Sequence, residues 1–168
     1  PSKNCSICYR SFKDIRSMKI HATHKHHAKS SSHSEEKGFN RCGDKRCHTC
    51  RMGNFCEEFT SNSTGKSYKI NQKLSCKTSN VCYLISCRKC NEQYIGETKQ
   101  QLNHRINGHK SDILKNKKRL PVVDHFNKCT IESMTVCGVE KCRSRDSYIR
   151  KARESFYIKE LEPLINKR

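Results

Sequence analysis

Five residues in the second half of the chain could together cut a phosphodiester bond. Tyr83 and Tyr94 stand eleven positions apart, Arg105 follows Gly96 by nine, His109 follows Arg105 by four, and Glu154 comes well downstream. A spacing of four puts Arg105 and His109 on one helix face. Alone, that pair reads as solvated helix surface, and Glu154 as half of an ordinary ion pair with Arg150 or Lys151. Together they offer a guanidinium to neutralise a pentacovalent phosphate, groups able to deprotonate or orient water, and a carboxylate for a divalent cation that polarises the phosphate. One carboxylate predicts one catalytic cation.

A second chemistry is written in soft ligands. Thirteen cysteines and nine histidines occur in 168 residues, the cysteines mostly in C-x2-C or C-x4-C pairs. Pairs on tight turns, separated by tens of residues, are what tetrahedral zinc requires, and a disulfide scaffold would carry an export signal, of which the N-terminus shows none. A reducing compartment, nucleus or cytosol, is expected. Cys5 and Cys8, with Phe12 and Met18 as core hydrophobes and then His21, fit a C2H2 finger; His26 is the preferred fourth ligand and His27 the alternative. Cys42, Cys47, Cys50 and Cys76 are expected to close a second site, with Cys56 able to replace either end member and His48 a weaker candidate. Cysteine is also a common small core residue, so one or two of these could simply be buried.

Composition names the partner class. There are 35 Lys and Arg against 16 Asp and Glu, a net charge of +19, with only 33% of residues hydrophobic. A polyanion is the natural partner, and one large core is not expected. No run approaches the roughly 18 apolar residues of a membrane-spanning helix. The chain divides into residues 1–27 (finger), 28–38 (the polar linker AKSSSHSEEKG), 39–80 (cysteine knuckle and connector) and 81–168, where an α+β texture begins.

In that last part Val81–Ile85 and Gln93–Gly96 read as a hairpin clamped by Cys87 and Cys90. Glu97–Asn116 reads as a helix capped by Thr98, with Leu102, Ile106 and Ile113 inward. Leu120–Phe126 begins a second helix with Pro121 near its start, and Ile131–Val139 a third strand. Asp146–Leu161 is a helix with Ile149, Ala152, Phe156 and Tyr157 as its apolar stripe, ended by Pro163. The order is β-β-α-α-β-α.

These residues resemble the GIY-YIG endonucleases. Val81-Cys82-Tyr83 and Tyr94-Ile95-Gly96 occupy the two tripeptide positions, Val81 replacing the first glycine; Arg105, His109, Glu154 and Asn166 fall at later motif positions. The resemblance implies a small three-stranded antiparallel sheet flanked by helices. It implies Glu154 as the Mg2+ or Mn2+ ligand, Arg105 as phosphate clamp, Tyr83 as general base or water-positioning hydroxyl, and Tyr94 as orienting the water or packing beneath it. His109 would donate to the phosphate or accept the nucleophile's proton, and Asn166 would anchor the last helix.

More particularly, the knuckle RCGDKRCHTC, the stretch TGKSYKI and the C-x2-C between the tripeptides are similar to the endonuclease of Penelope-like retroelements. That resemblance implies a further zinc site of Cys87, Cys90, His125 and Cys129, making about three structural zinc ions. A clamped hairpin tied to a helix would also order a domain with a small core.

The expected activity is nicking of double-stranded target DNA in the nucleus, exposing a 3′ hydroxyl that primes reverse transcription. The chain would then be the C-terminal portion of a larger polypeptide carrying a reverse transcriptase region, with element RNA a further partner. A non-catalytic zinc-finger protein that binds nucleic acid is the competing expectation, and a redox-sensing thiol protein a third.

Overall fold

The computed structural model describes residues 3–4, 11–12, 16, 37–143 and 145–167. They fall into two units, 1–36 and 37–168. In the first, β1 (Lys3–Asn4) pairs antiparallel with β2 (Ser11–Phe12). The expected finger ligands Cys5, Cys8, His21 and His26 lie outside the described residues.

The second unit begins with β3 (Gly38–Asn40), α1 (His48–Arg51), β4 (Glu58–Thr60), β5 (Ser67–Lys69) and β6 (Lys73–Ser75). It continues with β7 (Val81–Cys87), β8 (Gln93–Thr98), α2 (Leu102–Leu114), α3 (Pro121–Cys129), β9 (Met134–Lys141) and α4 (Ser147–Leu161). From β7 onward the order is β-β-α-α-β-α, an α+β fold around a three-stranded antiparallel sheet ordered β8-β7-β9. The central strand is buried along almost its whole length because elements cover both faces, so its sequence, VCYLISC, is a nearly continuous apolar run. Val81, standing where the motif has glycine, is an ordinary buried strand residue paired with Thr98 and Lys141.

Register decides which side chains meet. Tyr83 stands opposite Gly96 on β8 and Gly138 on β9, and Ile85 opposite Tyr94. Cross-strand partners share a face. Tyr83, Tyr94 and Gly96 therefore share one, and Cys82 and Glu97 the other. A Cβ on Gly96 would lie 2.5 Å from the Tyr83 hydroxyl, and one on Gly138 3.0 Å from the Phe39 ring. The glycines make room for these aromatics. The irregularity between Cys82 and Tyr83 in the β7–β9 register is a bulge beside the same tyrosine.

Residues 37–80 are built into this unit. β3 pairs parallel with β6, and Phe39 packs into the common core. Asn54 donates its N–H to Val136 O (2.8 Å) while Val136 donates to Met52 O (2.9 Å), which covers the open edge of β9. On the opposite edge, Asn166 clamps Ile95 of β8. Its Oδ1 accepts from Ile95 N (2.8 Å) and its Nδ2 donates to Ile95 O (2.9 Å), so an amide side chain does what a neighbouring strand would.

Three expectations shift. Thr98 does not cap the first helix: it extends β8, and its hydroxyl accepts from Gln100 N. The helix starts at Leu102, where Leu102 N donates to Thr78 O and Asn103 N to Cys76 O, so the connector's carbonyls satisfy the first free N–H groups. Ile131–Ser133 forms a 3-10 turn before β9 begins. The stripe expected on α4 holds only at Tyr157, which is buried: Ile149 and Phe156 are 40% and 41% exposed, Ala152 is exposed, and Arg150 and Leu161 are buried instead. Asp146 caps α4 by accepting from Tyr148 N, and Glu162 closes it in the left-handed conformation, ahead of Pro163.

Candidate active site and metal clusters

Tyr83 is the hub of the first cluster. It is fully buried, its hydroxyl 2.8 Å from His109 Nε2, and Arg105 Nε donates to the same oxygen at 3.1 Å. Burial, and then the Arg105 charge, bring the His109 imidazole down to about 4. The ring is neutral at pH 7. Because Arg105 already donates to the Tyr83 oxygen, we assign the phenol proton to the bond with His109 Nε2, which places the ring proton on Nδ1. Burial, followed by the nearby Tyr94, pushes the Tyr83 phenol above its usual range.

Tyr94 is half-buried, its ring centroid 6.4 Å from that of Tyr83 and 6.0 Å from that of His109. With Arg105, His109, Asp112 and Lys117 it lines a cavity of about 170 Å³, whose apolar lining comes from Leu120, Pro121 and Val122. Glu154, half-buried on α4, adjoins this group: burial first, then the charge of Glu97, hold its carboxyl above the ordinary value, while Arg105 and Lys151 act the other way. Arg150 donates to Glu97 at 2.7 Å. Among the described residues Glu154 is left without an ion pair. It is half-exposed and beside a second acid, so it is a carboxylate suited to a cation from solution.

All six residues expected at this site are therefore placed. Tyr83, Tyr94, Arg105 and His109 form one contact group and Glu154 borders it. Asn166 holds the β8 backbone at Ile95, between Tyr94 and Gly96, and among the described residues its side-chain hydrogen bonds go to that backbone. Arg150, expected as a partner for Glu154, pairs with Glu97 instead, and that pair went unrecognised in the sequence. Glu97 directly follows Gly96, but its partner is 53 positions away, so only the fold could reveal the pair.

The soft ligands form two further clusters. Cys42, Cys47, Cys50 and Cys76 bring their sulfurs within 4.8 Å of one another, as do the ligand atoms of Cys87, Cys90, His125 and Cys129. In the first, Cys47–Cys76, Cys42–Cys50 and Cys50–Cys76 separations are 3.3, 3.5 and 3.7 Å. A tetrahedral ion about 2.3 Å from each thiolate sets edges of about 3.8 Å. The donors fit. In the second, Cys90 Sγ lies 3.6 Å from His125 Nε2 and 4.0 Å from Cys129 Sγ. His125 Nδ1 faces Glu92 Oε2 at 3.2 Å, the carboxylate contact that fixes a ligating imidazole with Nε2 free.

The thiol electrostatics agree. Burial, and then neighbouring thiols, drive Cys76 upward, whereas hydrogen bonding outweighs burial and brings Cys42 to about 7 and Cys87 to about 6. Four thiolates cannot crowd together without a cation among them, and both donor sets could hold zinc. The alternatives for the first set fall away: Cys56 instead faces Cys137 at 3.5 Å, and His48 stays outside the cluster.

A three-stranded sheet flanked by helices brings together two tyrosines from its central and an edge strand with an arginine, a histidine and a glutamate from the helices, the make-up of a nuclease domain. The chain belongs to the GIY-YIG family, since the model of the GIY-YIG catalytic domain matches residues 79–168. No curated protein and no solved structure matches it. Family membership makes it a phosphodiesterase whose substrate is DNA. No helix among the described residues is long and apolar enough to cross a membrane.

Proposed function

We propose that the chain is a divalent-metal-dependent endonuclease that nicks double-stranded DNA and exposes a 3′ hydroxyl for target-primed reverse transcription of a Penelope-like retroelement. The observation that carries the cutting reading is the Arg105–Tyr83–His109 hydrogen-bonded group beside a half-exposed Glu154. Glu154 would hold Mg2+ or Mn2+, which when bound polarises the scissile phosphate and stabilises the leaving oxygen. Arg105 neutralises charge on the phosphate. Tyr83 works from beneath. It fixes Arg105 and His109, and a proton reaching its oxygen can pass to the neutral His109 Nε2. Tyr94, the half-exposed tyrosine over the cavity, meets the attacking water.

The retroelement reading rests on the C-x2-C between the tripeptides, whose Cys87 and Cys90 gather with His125 and Cys129. Zinc in both clusters would fix the hairpin loop to α3 and the knuckle to the connector. Such an element protein would work in the nucleus, joined to a reverse transcriptase and bound to element RNA.

Plasmid nicking with Mg2+ or Mn2+ tests the activity. Wild type is expected to convert supercoiled to open-circular DNA, and Glu154→Gln to lose about 10^3-fold in rate with zinc content unchanged. Nicking retained by Glu154→Gln would sink the assignment. DNA binding without cleavage by wild type would instead favour a non-catalytic zinc-finger binder.

A further inference from the structure

Away from the tyrosines, the turn entering β7 and the segment leaving β9 enclose a cavity of about 550 Å³. Lys73, Lys77, Lys141, Arg143 and Arg145 line it, all exposed, and no acidic side chain does. None of the five makes an ion pair among the described residues; the lysines and arginines that do lie elsewhere. Like charges gathered without counter-charge repel, a cost relieved when a polyanion supplies several negative groups at once.

This cavity is wired to the candidate active site through one guanidinium. Arg150 Nη1 donates to Arg145 O (2.7 Å) and, at 3.4 Å, to Asn80 Oδ1 on the cavity wall, while its Nε donates to Glu97, the acid beside Glu154. Along α4, Glu154 stands seven residues beyond the helix start at Ser147, on the order of 10 Å at helical rise. That is about three base pairs of duplex at 3.4 Å each.

We propose that this basic cavity grips the phosphodiester backbone of duplex DNA about three base pairs from the scissile phosphate, positioning the duplex for the cut. The inference rests on the nuclease reading above for the identity of the duplex. The grip is made of phosphate contacts, so it sets affinity and register and carries no sequence readout. Continuity with Glu154 favours the cleaved duplex over a separate RNA.

The test is fluorescence-anisotropy binding of a labelled duplex by the full chain across a KCl series, without added Mg2+ or Mn2+. Arg143→Gln/Arg145→Gln is compared with wild type and with Lys37→Gln/Lys69→Gln, which removes equal charge from a different cavity, one that also contains Glu57 and Glu58. The Arg150 contact uses the Arg145 carbonyl, which the substitution keeps. The cavity variant is expected to lose about two units of log K against log [salt] slope, the control variant clearly less, with zinc content equal in all three. In nicking assays it is expected to raise KM and leave kcat unchanged. An unchanged slope in the cavity variant, or equal losses in both variants, would overturn the inference. So would a larger affinity loss for single-stranded RNA of the same sequence than for the duplex. A cavity-dependent slope in a chain that leaves plasmid uncut would uphold the grip and remove only the nuclease reading.

Discussion

The cysteine clusters and the tyrosine centre solve opposite problems. Each cluster draws its ligands from several elements, the second from the end of β7, the turn after it and α3, and its geometry depends on the cation it would enclose. The tyrosine centre is assembled by strand register and helix packing, and its members hold one another through direct hydrogen bonds: Arg105 to Tyr83, and Tyr83 to His109. A group of thiols that repel when charged must be tied by metal, whereas a pre-packed set of donors needs metal only for chemistry. The zinc-type sites are therefore expected to carry the fold and the tyrosine site the reaction.

The largest effect should come from breaking the first side. Cys76 closes a cluster, and its carbonyl accepts from Asn103 N at the start of α2. Cys76→Ser should remove zinc and with it much of the folding free energy of residues 37–168, since structural zinc in small modules contributes on the order of 10 kcal/mol. Elemental analysis should show one fewer zinc, and thermal unfolding should lose its cooperative transition. A chain that kept both zinc and transition would show that three thiolates suffice.

Next comes His109, which sharpens the other side. Its pKa is about 4 in the fold against roughly 6.5 when unfolded. Between these values the unfolded chain binds the extra proton and the folded chain does not, so stability falls as pH is lowered from about 6.5 to about 4. The loss from this group is about 3 kcal/mol. Urea unfolding at pH 7 and pH 4 should show it in wild type, and His109→Gln, which keeps an acceptor near Tyr83, should lose that share of the pH dependence. An unaltered dependence would mean that the ring is not buried neutral. Nicking should likewise decline as pH drops towards 4, where the ring can no longer accept a proton from Tyr83.

A smaller cost is expected at Gly96. An added methyl would meet the Tyr83 hydroxyl and the Tyr94 ring, so Gly96→Ala should destabilise by about 1–3 kcal/mol through overpacking. Its cleavage loss should exceed what this costs in folded protein, because the methyl displaces the oxygen that holds Arg105 and His109. Nicking measured at full folding would show it, and loss of stability without loss of rate would mean that the hydroxyl position is not critical.

Much of this contrast could be read before the fold was seen, and for physical reasons. Cys42, Cys47, Cys50 and Cys76 were legible because cysteine pairs on turns announce themselves by spacing, and the strands around Tyr83 and Tyr94 because β-branched and apolar runs are short-range signals. The start of α2 was misjudged because its first N–H groups are satisfied by Thr78 and Cys76, more than twenty positions back. The pairing of Arg150 with Glu97 rather than Glu154 was missed because an ion pair between a strand and a distant helix leaves no periodic trace. Likewise, nothing in the spacing of five cations between Lys73 and Arg145 reveals that they share one cavity.

The clearest failure, α4, supplies the smallest and most discriminating prediction. Of the apolar stripe through Ile149, Ala152, Phe156 and Tyr157 that helical periodicity suggests, only Tyr157 is buried; the helix presents Arg150, Arg153 and Glu154 with Tyr157 and Leu161 towards the rest of the domain. Those charges are used there: Arg150 on Glu97, and Arg153 together with the Tyr157 hydroxyl on Glu140. A helix that must deliver a carboxylate to a reaction gives up part of its inward face to polar groups, and the rule that apolar residues point inward fails at the functional site. Phe156→Ser should accordingly cost only about 1 kcal/mol, from its contacts with the Arg153 guanidinium and the Tyr157 ring. Tyr157→Ser should cost several times more, because that ring packs on Phe59 and Tyr68 as well as donating to Glu140. Equal costs for the two in chemical denaturation would restore the stripe suggested by periodicity and would turn Glu154 away from the tyrosines.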